Sequence, residues 1–408
     1  MALPNHVTPK APVSTSIPLE ARRARWGVIL LFWLNGVGWS SILPRYPEIK
    51  QSLGLSDTFW GLSVGMGPVG GLVAGLATAV LIRRFTSARV AVVCLVLGLA
   101  MLNGIALAQS AWVFATFVFL MAAFDSLTDI AMNAHGLRVQ KLHGRSILNS
   151  LHGWWSIGAV CGGLLGSLAA QTGVPIWVQC LVASVVFAAL VLYARTLLLP
   201  GRDQSDASAD ASEVATRPWH VPGPVMVRLL ALGLLGGAAG LIEDAPASWG
   251  AVYMDRAFAV APFVAGLAFV ALQAAQLVGR FTGDALVNRL GPRAALLQGA
   301  AIAAVGMSLA LLFPSPVMTL VGFACAGWGV ATAIPSAMHT ADELPGMQHG
   351  SGLTFVTWML RLGFFAGPPL IGMLADASSL RSALWVVPAA AFLLLLLTPS
   401  LKPARPPR

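Results

Sequence analysis

The sequence predicts an all-α membrane protein, with twelve transmembrane helices in two pseudo-symmetric six-helix halves. Three observations predict it. Of the 408 residues, 57% are hydrophobic and only 10% are charged, whereas a soluble chain has about 25% charged residues. Apolar runs recur from one end of the chain to the other, each about 20 residues long, the length a helix needs to cross an about 30 Å hydrocarbon layer. The second half of the chain also echoes the first. Lipid offers an open backbone no partner, so each run has to be a helix.

The elements follow in order. Residues 1–25 are polar and Pro-rich without an apolar core, which excludes a signal peptide and reads as a cytoplasmic N-terminal tail. Six spans follow at 26–44, 59–82, 89–109, 112–136, 147–170 and 175–199, a first half over 26–199. Residues 200–224, dominated by Asp, Ser and Ala, read as a cytoplasmic linker. Six more spans at 225–250, 261–287, 293–313, 315–340, 350–374 and 380–400 make a second half over 225–400, and 401–408 form a cytoplasmic tail.

Charge sets the orientation. Of the 25 Lys and Arg, Arg280 and Arg361 lie inside spans, and with the N-terminus inside only Arg45, Lys50, Arg256 and Arg381 face out. The other nineteen are cytoplasmic, a strong positive-inside bias. Basic loops facing anionic membrane lipid account for the net charge of +9, so no nucleic acid partner is required. Cys94, Cys161, Cys180 and Cys325 stand singly inside spans and read as small packing residues, with no metal site and no cofactor indicated. No paired nucleophile and base, phosphate loop or nucleotide cassette is present, which argues against an enzyme and for a chain driven by a gradient.

The internal echo is specific. SDTFWGL (Ser56–Leu62) and APFVAGL (Ala261–Leu267) open the second and eighth spans. Gly61 to Arg84 repeats as Gly266 to Arg289, an offset of 205 residues (266 less 61). In NRLGPR, Arg289, Gly291 and Arg293 resemble the loop signature of the major facilitator superfamily, with Asn288 where that signature has Asp. The first-half copy, Arg83 to Arg89, keeps Arg84 and Arg89 but lacks both the Asp and the Gly. SLTDIAMNAHG, SLHGWWSIGAVCGG and GFFAGPPLIGMLAD resemble one branch of the same superfamily. That branch contains bacterial inner-membrane permeases related to fucose:proton symporters and to a rhizopine-uptake membrane protein. The resemblance covers nearly the whole chain. It implies the major facilitator fold, with a small-molecule substrate held at mid-membrane between the halves and exposed to each side in turn. Location in a bacterial inner membrane follows, with both termini cytoplasmic, and the chain is expected to act as a monomer.

Glycines recur every four residues at Gly67, Gly71 and Gly75 and at Gly158, Gly162 and Gly166, and the spacing returns at Gly279–Gly283 and Gly363–Gly367. Such rows let helices approach closely in lipid. In the facilitator fold these helices border the seam between halves, so the rows are expected there, with tight packing inside one half as the alternative.

The chemistry centres on FDSLTDIAMNAHG. Four residues of helix turn through 400°, so Asp125, Asp129 and Asn133 share one stripe, Asp125 near the centre of its span. A charge at mid-bilayer costs roughly 2.5–3.5 kcal/mol even on the lenient insertion scale, so these groups need a wet or paired interior. The resemblance makes this a cavity-lining helix. The seventh span carries Glu243 and Asp244, of which at most one can face the cavity, and Pro246 just after them is expected to break or kink the helix. Arg280, one turn before Asp284, reads as a structural or gating ion pair with Asp284 or the loop. Arg361, at mid-span, reads as counter-ion of an acid in the fourth or seventh span, or as a ligand for an anionic solute group.

Four deep acids against two deep bases leave at least one carboxylate without a fixed partner, able to take up and release a proton. Asp125 is the expected proton-coupling residue, with Asp129 a like-charged neighbour or a substrate ligand, and a lock by Arg361 is the alternative. Asn35 and Trp39 in the first span, Asn149 and His152 in the fifth, and Gln273 and Gln276 in the eighth are the expected substrate-binding groups, with Trp328 and Trp358. Amides bond hydroxyls and indoles stack on C–H faces, which suits a sugar or polyol. The leading expectation is therefore proton-coupled uptake of a small polar solute. Proton-driven export of an amphipathic or cationic compound, uptake of an organic anion, and a transporter-shaped sensor are the rivals.

Overall fold

The computed structural model describes residues 18–144, 146–201, 203, 222–347 and 350–401. The tails at 1–17 and 402–408, nearly all of the expected linker, and the side chains of Asn149 and Asp284 lie outside the described residues.

The apolar runs are helices. In the first half they are α1 (Leu19–Ser40), α2 (Asp57–Gly75, continued by Thr78–Phe85), α3 (Ser87–Ala106), α4 (Ala111–His143), α5 (Leu148–Gln171) and α6 (Ile176–Leu197). In the second they are α7 (Gly223–Ala245, Pro246–Gly250, Ala251–Phe258), α8 (Pro262–Leu290), α9 (Pro292–Leu312), α10 (Pro316–Val330, Ala333–Asp342), α11 (Ser351–Ala377) and α12 (Leu380–Ala383, Val386–Leu397). Among the described residues eleven helices are long and apolar enough to cross a membrane, or twelve when α2 is taken as one span across its bend.

Three elements differ from expectation. The two parts of α2 meet at 51°. Pro68 and the glycines up to Gly75 weaken the helix, and the turn closes with Ala77 N bonded to Ala74 O at 3.0 Å, one residue short of the α pattern. α4 runs to 33 residues and stops at Gly144 in the left-handed region, so its midpoint falls at Leu127, between Asp125 and Asp129. Pro246 does not break α7. The chain absorbs the ring in a five-residue π-turn, Pro246–Gly250, a wider coil that relieves the clash a proline causes in a straight α-helix.

Packing repeats between the halves. α2 lies against α4, α1 against α5, α3 against α4 and α6, and α1 against α6. α8 lies against α10, α7 against α11, α9 against α10 and α12, and α7 against α12. The halves meet through α2 with α11 and α5 with α8.

The glycine rows do not line that seam. A Cβ on Gly158, Gly162 or Gly166 would strike the carbonyl oxygens of Trp33 and Val37 on α1 and of Ser41 at its end. Gly67 and Gly75 face α4, Gly279 and Gly283 face α10, and Gly363 faces Gly237 on α7. Only Gly71 also touches the other half, at Arg361. The rows pull helices together inside each half. At the seam stand Gly61 and Gly65 against α11, Gly163 against α8, and Gly266 against Ser167 on α5.

The duplication survives in the backbone where it has decayed in sequence. Gly291, between α8 and α9, has φ +79 and ψ 159. Its counterpart 205 residues earlier, Thr86 between α2 and α3, has φ +86 and ψ 148. Only glycine enters this region without strain, and a branched residue there costs about 1–3 kcal/mol. Thr86→Gly is therefore expected to stabilise the detergent-purified protein by about 1 kcal/mol and Gly291→Ala to destabilise it by at least that, read as shifts in thermal unfolding. A Thr86→Gly protein less stable than wild type would contradict the strain.

Candidate functional site

The site begins with the acids of α4, each held by an amide. Asn35 Nδ2 on α1 donates to Asp125 Oδ1 at 2.7 Å. Trp155 Nε1 on α5 donates to Asn35 Oδ1, also at 2.7 Å, which fixes the amide's orientation and ties α1, α4 and α5 together. One turn on, Asn133 Nδ2 donates to Asp129 Oδ1 at 2.9 Å. Asn133 Oδ1 then faces His152 Nε2 at 3.2 Å. Asn35, Trp39, Gly98, Asp125 and Thr128 border a cavity of about 20 Å³ between α1, α3 and α4, room for a water. Asn35, Trp39 and Asp125 thus flank a space inside the first half, whereas the resemblance implied only the seam between halves.

The second half brings its charges to the seam. Arg280 on α8 donates to Ser156 Oγ on α5 at 3.1 Å and lies 3.9 Å from Glu243 on α7. The Ser156 bond crosses between the halves and the Glu243 contact stays within the second, while the expected pairing with Asp284 lies outside the described residues. Asp244 turns the other way, accepting from Ser248 Oγ at 3.0 Å within the π-turn, with Gly367 of α11 beside it. Glu243 and Asp244 diverge, as their spacing requires. Arg361 reaches across from α11 to Ser126 Oγ on α4 at 3.5 Å. Among the described residues no carboxylate lies within 4.0 Å of its guanidinium.

Gln273 and Gln276 are 2% and 0% exposed, and among the described residues neither Gln273 Nε2 nor either amide atom of Gln276 has a hydrogen-bond partner. Gln273 lies on the same α8 stripe as Gly266 and Arg280, seven residues from each, and both of those touch α5. Of the two expected tryptophans, Trp328 is half-buried with its backbone on Gly279 of α8, and Trp358 is 44% exposed. Of the loop residues, Arg84 sits 5.3 Å from the Phe85 ring, and Arg89, Arg289 and Arg293 are exposed.

Two charged clusters escaped the sequence reading. Lys50, Asp57, Arg256 and Asp376 gather where α2 meets α11 at the end of the bundle away from the chain termini. At the opposite end Asp203, in the described part of the linker, accepts from Ser87 N and Ser87 Oγ, both at 2.6 Å, and from Arg138 at 3.0 Å. Burial pushes the Asp203 carboxyl up, but the Ser87 bonds and Arg138 outweigh it and hold it below the ordinary carboxylate value. This clamp on α3 and α4 is therefore intact at neutral pH and is lost only as acid protonates Asp203.

The sequence matches the profile of the Major Facilitator Superfamily over residues 28–243 and 232–408. It is 27% identical to an uncharacterized MFS-type transporter of Yersinia pestis, covering 87% of this chain and 89% of that one. To membrane protein MosC of Rhizobium meliloti it is 25% identical, covering 88% and 85%. In three dimensions it resembles the nucleoside transporter NupG at a TM-score of 0.72 and 14% identity, over 94% of this chain and all 100% of that one. It also resembles FucP in its outward conformation at 0.63 and 17%, over 94% and 100%.

A buried amide with no partner costs roughly 1–3 kcal/mol. Gln276→Leu removes that cost, so it is expected to raise the solute-free protein's stability by about 1 kcal/mol and to weaken solute binding about tenfold. Thermal unfolding without solute and the transport KM read the two effects. A less stable protein with unchanged KM would make Gln276 purely structural.

Proposed function

The chain belongs to the major facilitator superfamily, and from that premise we propose that it is a secondary transporter carrying a small polar solute, sugar- or polyol-like, together with protons. The solute enters the seam between α1, α4 and α5 on one side and α7, α8 and α11 on the other. The basic ends of the helices face the cytoplasm of a bacterial inner membrane, and the direction is uptake.

One observation carries the proton part. Asp125 and Asp129 stand near the midpoint of a membrane-spanning helix with amides as their partners, and no cation within 4.0 Å is found among the described residues. A carboxylate bonded to a cation cannot be neutralised without orphaning that cation. One bonded to an amide can. When a proton settles on Asp125 Oδ2, Oδ1 still accepts the same Asn35 N–H, so both protonation states keep the geometry.

The solute class is supported by donors and acceptors rather than by a charge. Gln273 Nε2 and the Gln276 amide, without partners among the described residues, and the Ser126 and Ser156 hydroxyls match a polyhydroxylated molecule. The structural neighbours whose names state a solute carry nucleosides and fucose with a proton, both hydroxylated.

The test uses proteoliposomes holding a pH-sensitive dye. A sugar or polyol added outside should acidify the lumen, and Asp125→Asn should abolish gradient-driven accumulation while keeping solute exchange between equilibrated compartments. If lipophilic cations instead dissipate an imposed proton gradient and polyols do nothing, the chain is an exporter and this reading is wrong. Arg361→Ala should fail to accumulate solute and recover folding yield when Asp129→Asn is added, because a buried charge without its counter-charge is the costly state. A double variant no better than Arg361→Ala would assign Arg361 to the solute.

A further inference from the structure

The cluster far from the termini is built from both halves, each supplying one cation and one anion. Lys50 and Asp57 come from the first half, Arg256 and Asp376 from the second. Asp376, in the last turn of α11, accepts from Asp57 N at 3.0 Å and Thr58 N at 2.8 Å. It thereby caps the first turn of α2, whose free N–H groups and dipole favour a carboxylate. Ser56 provides only for the Phe59 N–H. The Asp57 carboxylate in turn receives Arg256 Nη1 at 2.7 and 2.9 Å and Lys50 Nζ at 3.0 Å. Close backbones make these reaches short, because a Cβ on Gly61 would strike Pro368 O and one on Gly372 would strike Asp57 O.

We propose that these four residues are a reversible latch that holds the far end of the transporter shut, and that Lys50 is the counter-ion left behind when it opens. Asp57 has one cation from each half. Its side chain is 10% exposed and that of Lys50 is 4% exposed, whereas the Arg256 side chain is 44% exposed and Asp376 faces solvent. When the halves separate, the two exposed partners leave into water. The two buried ones stay together in the first half and remain neutralised, which removes the main penalty of parting a buried pair. This inference rests on the superfamily's transport activity, not on the choice of solute or on proton coupling.

The arrangement makes the two cations act oppositely. Removing Arg256 or the Asp376 cap weakens the closed state alone. Removing Lys50 leaves Asp57 with Arg256 as its only cation, so opening strands a buried carboxylate and the closed state gains. Spin labels on Ser52 and Ser378, both exposed and on opposite sides of the latch, read the gap by pulsed electron resonance, with Cys94, Cys161, Cys180 and Cys325 replaced. Arg256→Gln and Asp376→Asn are each expected to raise the long-distance population about fivefold, the scale of one partly exposed polar tie. Lys50→Gln added to Asp376→Asn should reverse that rise. Asp376→Asn changes an exposed group and keeps the packing, so it stays informative if another variant fails to fold. An unchanged distance distribution in Asp376→Asn, or Lys50→Gln opening the gap further, would overturn the latch.

Discussion

A charged or polar side chain inside hydrocarbon has to find its partner in its own protein, and the helices are arranged around those partners. Asp125 draws in Asn35, and Asn35 draws in Trp155, so one hydrogen-bonded chain fixes α1, α4 and α5 against each other. Asp129, Asn133 and His152 repeat the device one turn along. Between the halves the ties are of another kind. Arg280 donates to Ser156 Oγ at 3.1 Å and Arg361 to Ser126 Oγ at 3.5 Å, single contacts of long side chains to hydroxyls that can part and re-form. Amide hydrogen bonds tie the helices of the first half together, and arginines of the second half reach across to it, at Ser126 and Ser156 inside the bundle and at Asp57 on its far end.

Small residues divide their work in the same way. Inside a half, glycine rows set the backbones of α1 and α5, or α7 and α11, so close that carbonyl oxygens occupy the place of a side chain. Across the seam the close contacts are shorter stretches, Gly61 and Gly65 against α11 and Gly163 and Gly266 between α5 and α8, and they obey the duplication. Gly61 on α2 meets α11, while its counterpart Gly266 on α8 meets α5. A three-glycine row across the seam would lock the halves as tightly as it locks α1 to α5, so shorter stretches suit surfaces that must slide.

The number of spans and the intramembrane acids were legible because both are local. An apolar run declares its helix, and two carboxylates inside one declare an unusual site. Partners were not local: Asn35 and Asp125 are 90 residues apart, and Asp57 N and Asp376 are 319 apart. A glycine spacing of four shows that a helix is closely approached but not by which neighbour, which is why the rows were expected at the seam. Lys50, Asp57, Arg256 and Asp376 stand near span ends, where charge is ordinary, so nothing marked them as a set. The same limit applies at Pro246. Proline forbids an α-helical bond, but whether the helix breaks or widens depends on what packs around it. Here Trp60 Nε1 donates to Ser248 O and Trp249 Nε1 to Pro368 O, each at 3.3 Å, holding the widened turn on both sides.

The position of Arg361 links the two parts of the proposed cycle. Its helix belongs to the second half, while Ser126, which its guanidinium reaches at 3.5 Å, stands next to Asp125 and one turn from Asp129 on α4 of the first. Rocking one half against the other therefore changes the distance between that cation and both carboxylates, without altering the amide bonds that hold them. Under the proposed proton coupling, how firmly the acids keep a proton would follow which end of the transporter is open. By reciprocity, binding a proton biases which end opens. A counter-charge on α4 itself would move with the acids and couple nothing, so the chemistry of coupling needs the arginine to stand on the far side of the seam.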